Sequence, residues 1–397
     1  MAERKGLNNT HLKYRNRGIA LQLIATAPLS RAEITKRMGL TKMAITNIVG
    51  ELISEGYLIE TQTEEKNSVG RTPMLLDIAA RAPIAAGIYI SRNEVCVLLS
   101  DIKLRALYMD KKELSEETAD SLTEKIYSLL DSAFSFWKKR YSRMRILGIG
   151  VSSIGPLDSV NGVILRPTGF FGIENYPIAA LLQQRYHLPV CLHNDMDASA
   201  IAEKLYGIGR QFDGFMYLGI TNGIGSGIVF NRRLYHGGSI AGGEIGHMCI
   251  DYNGPVCSCG NRGCLETYAN IPVILQKMKD ATGLEQVDCT DFEKLSSLTA
   301  CHEILLDMTN KLGVALVNAV NLLDPQAVIL GHEGAFLPSA YRQHLEDYLN
   351  SRILGAGYRR ITVTTSHFAN RAPVMGSVCL IFERLFGGEF FENNETT

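Results

Sequence analysis

The sequence predicts an α/β chain in which a small helical head precedes two related lobes, and three observations carry that prediction. Its first eighty or so residues hold three short helical segments with capping residues, followed by a strand, a polar tip and a strand. From Pro83 onward short β runs alternate with helices, the mark of an α/β layer architecture. A loop dense in glycine and cysteine, GEIGHMCIDYNGPVCSCGNRGCLE at Gly243 to Glu266, interrupts the second half.

At 397 residues the chain has room for two or three domains with sizeable cores. A hydrophobic content of 46% and a charged content of 20% are ordinary for a globular protein. The nine cysteines, an odd number behind a polar start without a signal-like run, argue for a reducing compartment and metal use rather than a disulfide framework. No apolar run is long enough to span a bilayer, so the expected location is the cytoplasm, with no membrane partner.

Charge is unevenly placed. Up to Leu76, eleven Lys or Arg face seven Asp or Glu, a net of +4 within a chain whose total is −1. Such asymmetry points to an anionic partner for the front end. The segment from Arg15 to Ala27 repeats apolar residues at Ile19, Leu21, Leu23 and Ile24 and ends before Pro28. Ser30 caps a second helix, Arg31 to Met38, with Glu33 completing a capping box and Gly39 stopping it. Thr41 caps a third, from Lys42 to about Glu55, which stops at Gly56. Two short helices joined by a tight turn containing Gly form a helix-turn-helix. If Ile34 and Met38 pack on Ile45, Ile48 and Leu52, then Lys42, Met43, Thr46 and Asn47 face outward behind Thr41, on the part of the helix that enters a major groove. Strands at Tyr57–Ile59 and Met74–Ile78 flank a polar run and make this the winged variant. Gly70 and Arg71 at the tip are candidates for a minor-groove contact. These features together predict a DNA-binding domain over residues 1–80; the alternative is a plain packing bundle.

Beyond Pro83 the β runs IAAGIYI, EVCVLLSD and ALYMDKKEL read as a meander, followed by a helix from Ser121 to Arg140 and the strand ILGIGVSS. LPVCLHND then a helix to Tyr206, FMYLGITNGIGSGIVF then RRLYHG, a helix from Cys301 to Leu323, AVILGHEG, and a closing helix from Val374 to Phe386 complete the pass. The repeated strand–strand–strand–helix unit predicts two related lobes: one of about 81–197 with 374–397, the other of about 198–373. The glycines of GITNGIGSG could hold an anion, although a hairpin turn is the commoner outcome. Asn194-Asp195 ends a strand, where α/β folds place binding groups. Asp195 could act as a base on a hydroxyl or accept its hydrogen bond, or could cap the following helix, a role Asp197 can fill equally well.

In the cysteine loop, His247, Cys257, Cys259 and Cys264 stand as His-x9-Cys-x-Cys-x4-Cys. Three thiolates and an imidazole complete a tetrahedral zinc shell with no position left for water, the signature of a structural site, one per chain. Cys249 is left outside the shell on spacing. Glu244 precedes the first ligand and Glu266 follows the last, so a loop folded on zinc would bring both carboxylates toward one point. Ionised carboxylates are acceptors only and suit the hydroxyls of a small polyol. Two solvated surface acids are the alternative, and the spacing does not decide between them.

The segments GEIGHM, CSCGNRGCLE, LPVCLHNDMDASAIAE and LGITNGIGSGIVFNRRLYHGG resemble the ROK proteins, a family of repressors, open reading frames and sugar kinases on the actin-like sugar kinase fold. The resemblance covers nearly the whole chain. Its front end is similar to the winged helix-turn-helix of the repressor branch. The resemblance implies sugar contacts from Asn194, Asp195, Glu244, His247 and Glu266, zinc on His247, Cys257, Cys259 and Cys264, and weaker sugar candidates in Thr168 and Gly155. It puts Asp195 at the position where the kinases keep the base that deprotonates the sugar hydroxyl.

One departure separates the branches. Where the kinases open their first lobe with an Asp-x-Gly-Gly-Thr phosphate turn, this chain has Gly87-Ile88-Tyr89-Ile90-Ser91-Arg92-Asn93-Glu94. Phosphoryl transfer depends on positioning and charge neutralisation, and both are weakened there. Gly331-His332-Glu333-Gly334 adds a carboxylate on the nucleotide side. The expected protein is therefore not an enzyme but a sugar-responsive repressor. It would be a homodimer or tetramer, bound to double-stranded operator DNA and released by a sugar or sugar phosphate entering between its lobes. The rivals are an ATP-dependent sugar kinase with a DNA-binding head, and a repressor governed by a sugar-transport protein. Residues 165–176 would shape the choice of sugar.

Overall fold

The computed structural model describes residues 9–62, 74–238 and 242–394. They fall into two compact units, Met1–His193 with Ser377–Thr397, and Asn194–Gly376.

The first unit opens with helix α1 (Asn9–Thr26), strand β1 (Leu29–Ser30), helices α2 (Arg31–Met38) and α3 (Lys42–Ser54), and strands β2 (Leu58–Gln62) and β3 (Met74–Ile78). Local chemistry explains the breaks. The Ser30 hydroxyl accepts from Glu33 N–H while the Glu33 carboxylate accepts from Ser30 N–H, a complete capping box. Gly39 ends α2 at φ 65°, where a Cβ would be strained, and Thr41 caps α3 through Ala44 N–H at 3.2 Å. Ile34, Ile45, Val49 and Leu52 are wholly buried, and Ile48 nearly so, whereas Met38 is half-buried. β2 and β3 pair antiparallel from Leu58↔Ile78 to Gln62↔Met74, and β1 adds to the far edge of β3, a third strand that the sequence pattern does not announce. The tip between them, with Gly70 and Arg71, lies outside the described residues.

The same unit continues with β4 (Ile84–Ile90), β5 (Glu94–Asp101), β6 (Ala106–Glu113), α4 (Ala119–Arg140), β7 (Ile146–Ser153), a ribbon of β8 (Leu157–Asp158) and β9 (Val163–Ile164), α5 (Ile178–Tyr186) and β10 (Val190–Asn194). Its sheet runs β6-β5-β4-β7-β10, antiparallel through the meander and parallel from β4 to β7. β4 and β7 are buried along nearly their whole length, as strands covered on both faces must be.

The second unit holds α6 (Asp195–Leu205), β11 (Phe215–Ile220), β12 (Ile224–Phe230), β13 (Arg233–Leu234), α7 (Glu266–Ala269), α8 (Ile271–Thr282), α9 (Phe292–Leu295), α10 (Thr299–Leu323), β14 (Ala327–His332), α11 (Ser339–Arg352) and β15 (Thr362–Thr365). Helix α12 (Ala372–Gly387) begins there and ends in the first unit. The second sheet runs β13-β12-β11-β14-β15, antiparallel through the meander and parallel from β11 through β14 to β15. In both sheets the first strand of the set is central, with its meander on one side and the later strands on the other. The predicted internal repeat is thus visible as one strand order used twice.

The chain's end returns to its beginning within the first unit. Phe391, in the short turn after α12, is fully buried, meets Tyr57 edge-on at 5.3 Å and takes the Arg17 guanidinium over its ring. Arg17 in turn pairs with Glu51 and Glu55 of α3 and its C-cap. No helix among the described residues is long and apolar enough to cross a membrane.

Candidate metal centre and carboxylate cluster

The hairpin of β11 and β12 is the frame for this site. Its glycines are not an open anion loop. A Cβ at Gly225 would come within 2.9 Å of Met196 Cγ, and at Gly219 and Gly227 it would overlap Met196 itself. Met196 is the second residue of α6, so these glycines let the start of that helix lie flush on the hairpin. On the neighbouring segment, Gly246 packs directly on the Ile224 carbonyl, and Gly243, at φ 80°, packs on the Ser226 carbonyl. The strand pair therefore carries Asn194-Asp195 through one set of close contacts and the Glu244–His247 turn through another.

Helix α6 starts earlier than the sequence reading had it. Asn194 is the cap, its side chain accepting from Met196 N–H at 2.9 Å, and Asp197 lies within the first turn. Asp195 is nearly buried, and one of its carboxylate oxygens accepts from Met196 N–H at 3.0 Å.

His247, Cys257, Cys259 and Cys264 converge, with one donor atom from each lying within 4.8 Å of all the others. Two separations test the fit to a metal. Cys259 Sγ and Cys264 Sγ are 3.8 Å apart, and Cys257 Sγ and His247 Nδ1 are 3.7 Å apart. A tetrahedral ion with Zn–S bonds of about 2.3 Å and a Zn–N bond of about 2.0–2.1 Å has edges of roughly 3.8 Å between sulfurs and 3.6 Å between sulfur and nitrogen. The donor set and its spacing fit a four-coordinate metal ion. Burial, reinforced by the neighbouring thiols, pushes the Cys264 thiol up to about 12, so a nearby cation is what would hold it as a thiolate.

Glu266, the first residue of α7, borders this group directly. Its Oε1 lies 3.6 Å from His247 Nδ1 and accepts from the Cys257 thiol at 3.2 Å. The Glu244 carbonyl accepts from His247 N–H at 3.1 Å, while its carboxylate makes no hydrogen bond or ion pair among the described residues. Surrounding protein mass desolvates its carboxylate and pushes its pKa up; the His247 imidazole draws it down and Glu266 raises it further. Of the residues that sequence reasoning named, the structure thus groups Glu244, His247, Cys257, Cys259, Cys264 and Glu266, and mounts Asn194 and Asp195 on the same hairpin frame. Thr168 and Gly155 belong to the first unit. Thr168 is exposed and its carbonyl accepts from Arg92 Nε at 2.9 Å, while Gly155 precedes Pro156 through a cis peptide.

The loop after β4 is a tight turn. Ser91 N–H donates to the Glu94 carbonyl at 2.9 Å, and Arg92 reaches away to Thr168. At the end of β14, His332 is buried with Nδ1 3.1 Å from the Tyr217 hydroxyl, and burial lowers its pKa to about 4, which keeps the imidazole neutral. The adjacent Glu333 carboxylate is pushed up by burial. A neutral ring beside an acid offers no positive charge to a phosphate.

Sequence reasoning missed Glu203. It is fully buried in α6, accepts from the Ser366 hydroxyl at 2.6 Å and from Ile208 N–H at 2.9 Å, and so ties that helix to the segment after β15. A glutamate one position before Lys204 reads as solvated surface, and no local signal marks it otherwise.

The chain is similar over 391 residues to the xylose repressor of Caldicellulosiruptor bescii, at 27% identity, covering 94% of this chain and 97% of that one. It is 25% identical to the DNA-binding transcriptional repressor Mlc of Escherichia coli, covering 98% of each. Among solved structures it matches a ROK family transcriptional regulator, a homologue of the E. coli Mlc protein, with a TM-score of 0.81 at 24% identity, covering 96% of this chain and 98% of that one. The model of the ROK family matches residues 86–384. With three quarters of its length matched in this way, and with the paired sheets and the cysteine loop that the match spans, the chain belongs to the ROK family.

Proposed function

We propose that this protein is a sugar-responsive, DNA-binding transcriptional repressor. The observation that carries the reading is one chain holding both a helix-turn-helix head with an outward polar face and acceptor-only carboxylates gathered at a four-donor centre. Its relatives include proteins named as a xylose repressor and as Mlc.

Residues 1–80 form the winged helix-turn-helix domain in this reading, and 81–397 the sugar-binding part. The N-cap Thr41 and Lys42, Met43, Thr46 and Asn47 on the first turns of α3 are all exposed, while the neighbouring Ile45 and Ile48 face the core. That division leaves one helix face free for base edges and phosphates. In a homodimer two such heads would meet operator half-sites about one helical turn, or a multiple of it, apart. Gly70 and Arg71 at the wing tip belong to the same proposed surface.

Glu244, Glu266 and Asp195 would accept hydrogen bonds from sugar hydroxyls, with Asn194 and the His247 edge beside them; Thr168 and Gly155 complete the proposed set. His247, Cys257, Cys259 and Cys264 would hold zinc, which supplies a closed, rigid shell and leaves no open position for catalysis. His247 then keeps one ring nitrogen for the ligand while the other faces the thiols. Release from DNA requires that the sugar bind the non-DNA-bound arrangement better, since a ligand shifts an equilibrium only by its differential affinity. The tight Ser91–Glu94 turn and the Glu333 carboxylate support a regulator over a kinase.

A thermal-shift screen of the metal-loaded protein against neutral sugars, amino sugars and their phosphates tests the reading. A sugar that raises the melting temperature, weakens operator binding and loses its effect in Glu244→Ala is the expected result. No shift with any sugar, alongside intact operator binding, would overturn sugar control in favour of a protein partner.

A further inference from the structure

Cys249 stands outside the four-donor group yet directly opposite one of its members. Cys249 and Cys264 are partners in an isolated antiparallel bridge. The flanking hydrogen bonds run from Ile250 N–H to the Gly263 carbonyl at 2.8 Å and from Leu265 N–H to the Met248 carbonyl at 2.9 Å. That pattern makes the two cysteines a non-hydrogen-bonded pair, whose Cα atoms lie about 4.5 Å apart and whose side chains approach most closely. A disulfide spans Cα separations of about 4.4–6.8 Å, so the bridge is in register for one. Gly263 preserves the register: it sits at φ 65°, and a Cβ there would overlap the Asp251 carbonyl. The two thiols differ sharply in access, since Cys249 is exposed and Cys264 is wholly buried.

We propose that Cys249 is a peroxide-oxidation site that captures Cys264 as a disulfide and thereby opens the metal centre, an inference that rests on the metal-holding reading of the loop. The exposed Cys249 thiolate attacks hydrogen peroxide, the O–O bond breaks, and sulfenic acid forms as hydroxide leaves. The Cys264 sulfur then attacks the Cys249 sulfur. The new S–S bond forms as the S–O bond breaks, and the hydroxide departs as water after taking a proton. In sum, two thiols and one peroxide give a disulfide and two waters. Committing Cys264 to Cys249 leaves His247, Cys257 and Cys259 as three donors where a closed shell needs four. Glu266, which follows Cys264 by two residues and borders the same group, would lose its fixed neighbours, so oxidation would reach the proposed sugar site through the loop.

The test treats the full-length, metal-loaded protein and its Cys249→Ser and Cys249→Ala variants with graded hydrogen peroxide. A chromogenic chelator follows metal release, and peptide mapping after thiol alkylation identifies the paired cysteines. The expected result is a cross-linked peptide joining Cys249 to Cys264 in the wild type, metal loss several-fold slower in both variants, and reversal by a dithiol. Metal content before oxidation tests the metal-holding reading separately, and the cross-linked peptide decides the pairing whether or not metal is bound. Absence of that peptide after oxidation, or equal release from loaded wild type and variants, would overturn the proposal.

Discussion

The guanidinium carbon of Arg17 lies 4.2 Å from the centre of the Phe391 ring, a contact between the first helix and the last described turn of the chain. Arg17 is itself buried and carries ion pairs to Glu51 and Glu55, so the aromatic ring covers a charged cluster that holds α1 to α3. Phe391→Ala should therefore destabilise the first unit by about 3–5 kcal/mol, the usual cost of removing a buried Phe. Urea denaturation followed by far-UV circular dichroism would measure it. Because the cavity opens beneath α1, operator affinity should fall with it, and a variant with unchanged stability would show that the contact contributes nothing.

Glu244→Gln and Asp195→Asn should each weaken the effector sugar by roughly tenfold or more, since hydrogen bonds to a charged acceptor contribute about 1.5–3 kcal/mol. Isothermal titration against the sugar found by thermal shift gives the number. Operator affinity without sugar should stay at the wild-type level for Glu244→Gln, whose carboxylate makes no hydrogen bond or ion pair among the described residues.

On α3 the two kinds of contact should separate by their salt dependence. Lys42→Ala is expected to weaken binding to every DNA sequence alike and to reduce the slope of log K against log salt by about one. Asn47→Ala is expected to cost about 1–3 kcal/mol on the operator alone and to relax its specificity. Fluorescence anisotropy at several salt concentrations on operator and unrelated duplexes distinguishes them; an equal loss on both duplexes for Asn47→Ala would remove it from base readout.

Glu203 gives a pH signature. Burial raises its pKa above the ordinary 4.5, although donors at Ser366, Ile208 and Phe368 pull it back. The folded state therefore binds this proton more tightly than the unfolded chain. Its ionisation costs stability above the raised pKa, and that cost is relieved as pH falls toward the ordinary carboxylate range. The stability of wild type relative to Glu203→Gln should accordingly rise on acidification, as read from urea midpoints at successive pH values. A difference that stays flat with pH would mean that Glu203 keeps an ordinary pKa.

What the sequence disclosed followed the range of the interactions involved. The Ser30–Glu33 box, the Thr41 cap and the His-x9-Cys-x-Cys-x4-Cys spacing act over a few residues, and each is found where its pattern put it. The repeated strand–strand–strand–helix unit was legible because each strand run announces itself, whereas the order of the strands within each sheet came from the structure. β1 was not, because Leu29–Ser30 is a strand only through its pairing with Leu75–Leu76. The Phe391–Arg17 contact joins positions from opposite ends of the chain, and nothing near either residue foretells it. Glu203 escaped for a similar reason, since two of its partners, Ser366 and Phe368, lie more than a hundred and fifty residues away. The glycine-rich hairpin was read as a turn with an anion-binding option. Three of its glycines, Gly219, Gly225 and Gly227, turn out to be dictated by the close approach of Met196.

That last feature bears on how this molecule could be re-tuned. Gly219, Gly225 and Gly227 are seats for another residue's atoms, so a random library spread across the hairpin would mostly yield chains unable to assemble the second unit. Residues 165–176 carry no comparable congestion at Gly169 or Gly172, around which open space or the far end of Arg92 is all that a side chain would meet, although both adopt positive φ. Diversity placed at the exposed positions of this segment, with those two glycines and the buried Phe170, Ile173 and Tyr176 kept and the hairpin untouched, offers directed evolution a route to new inducers at less risk to the scaffold.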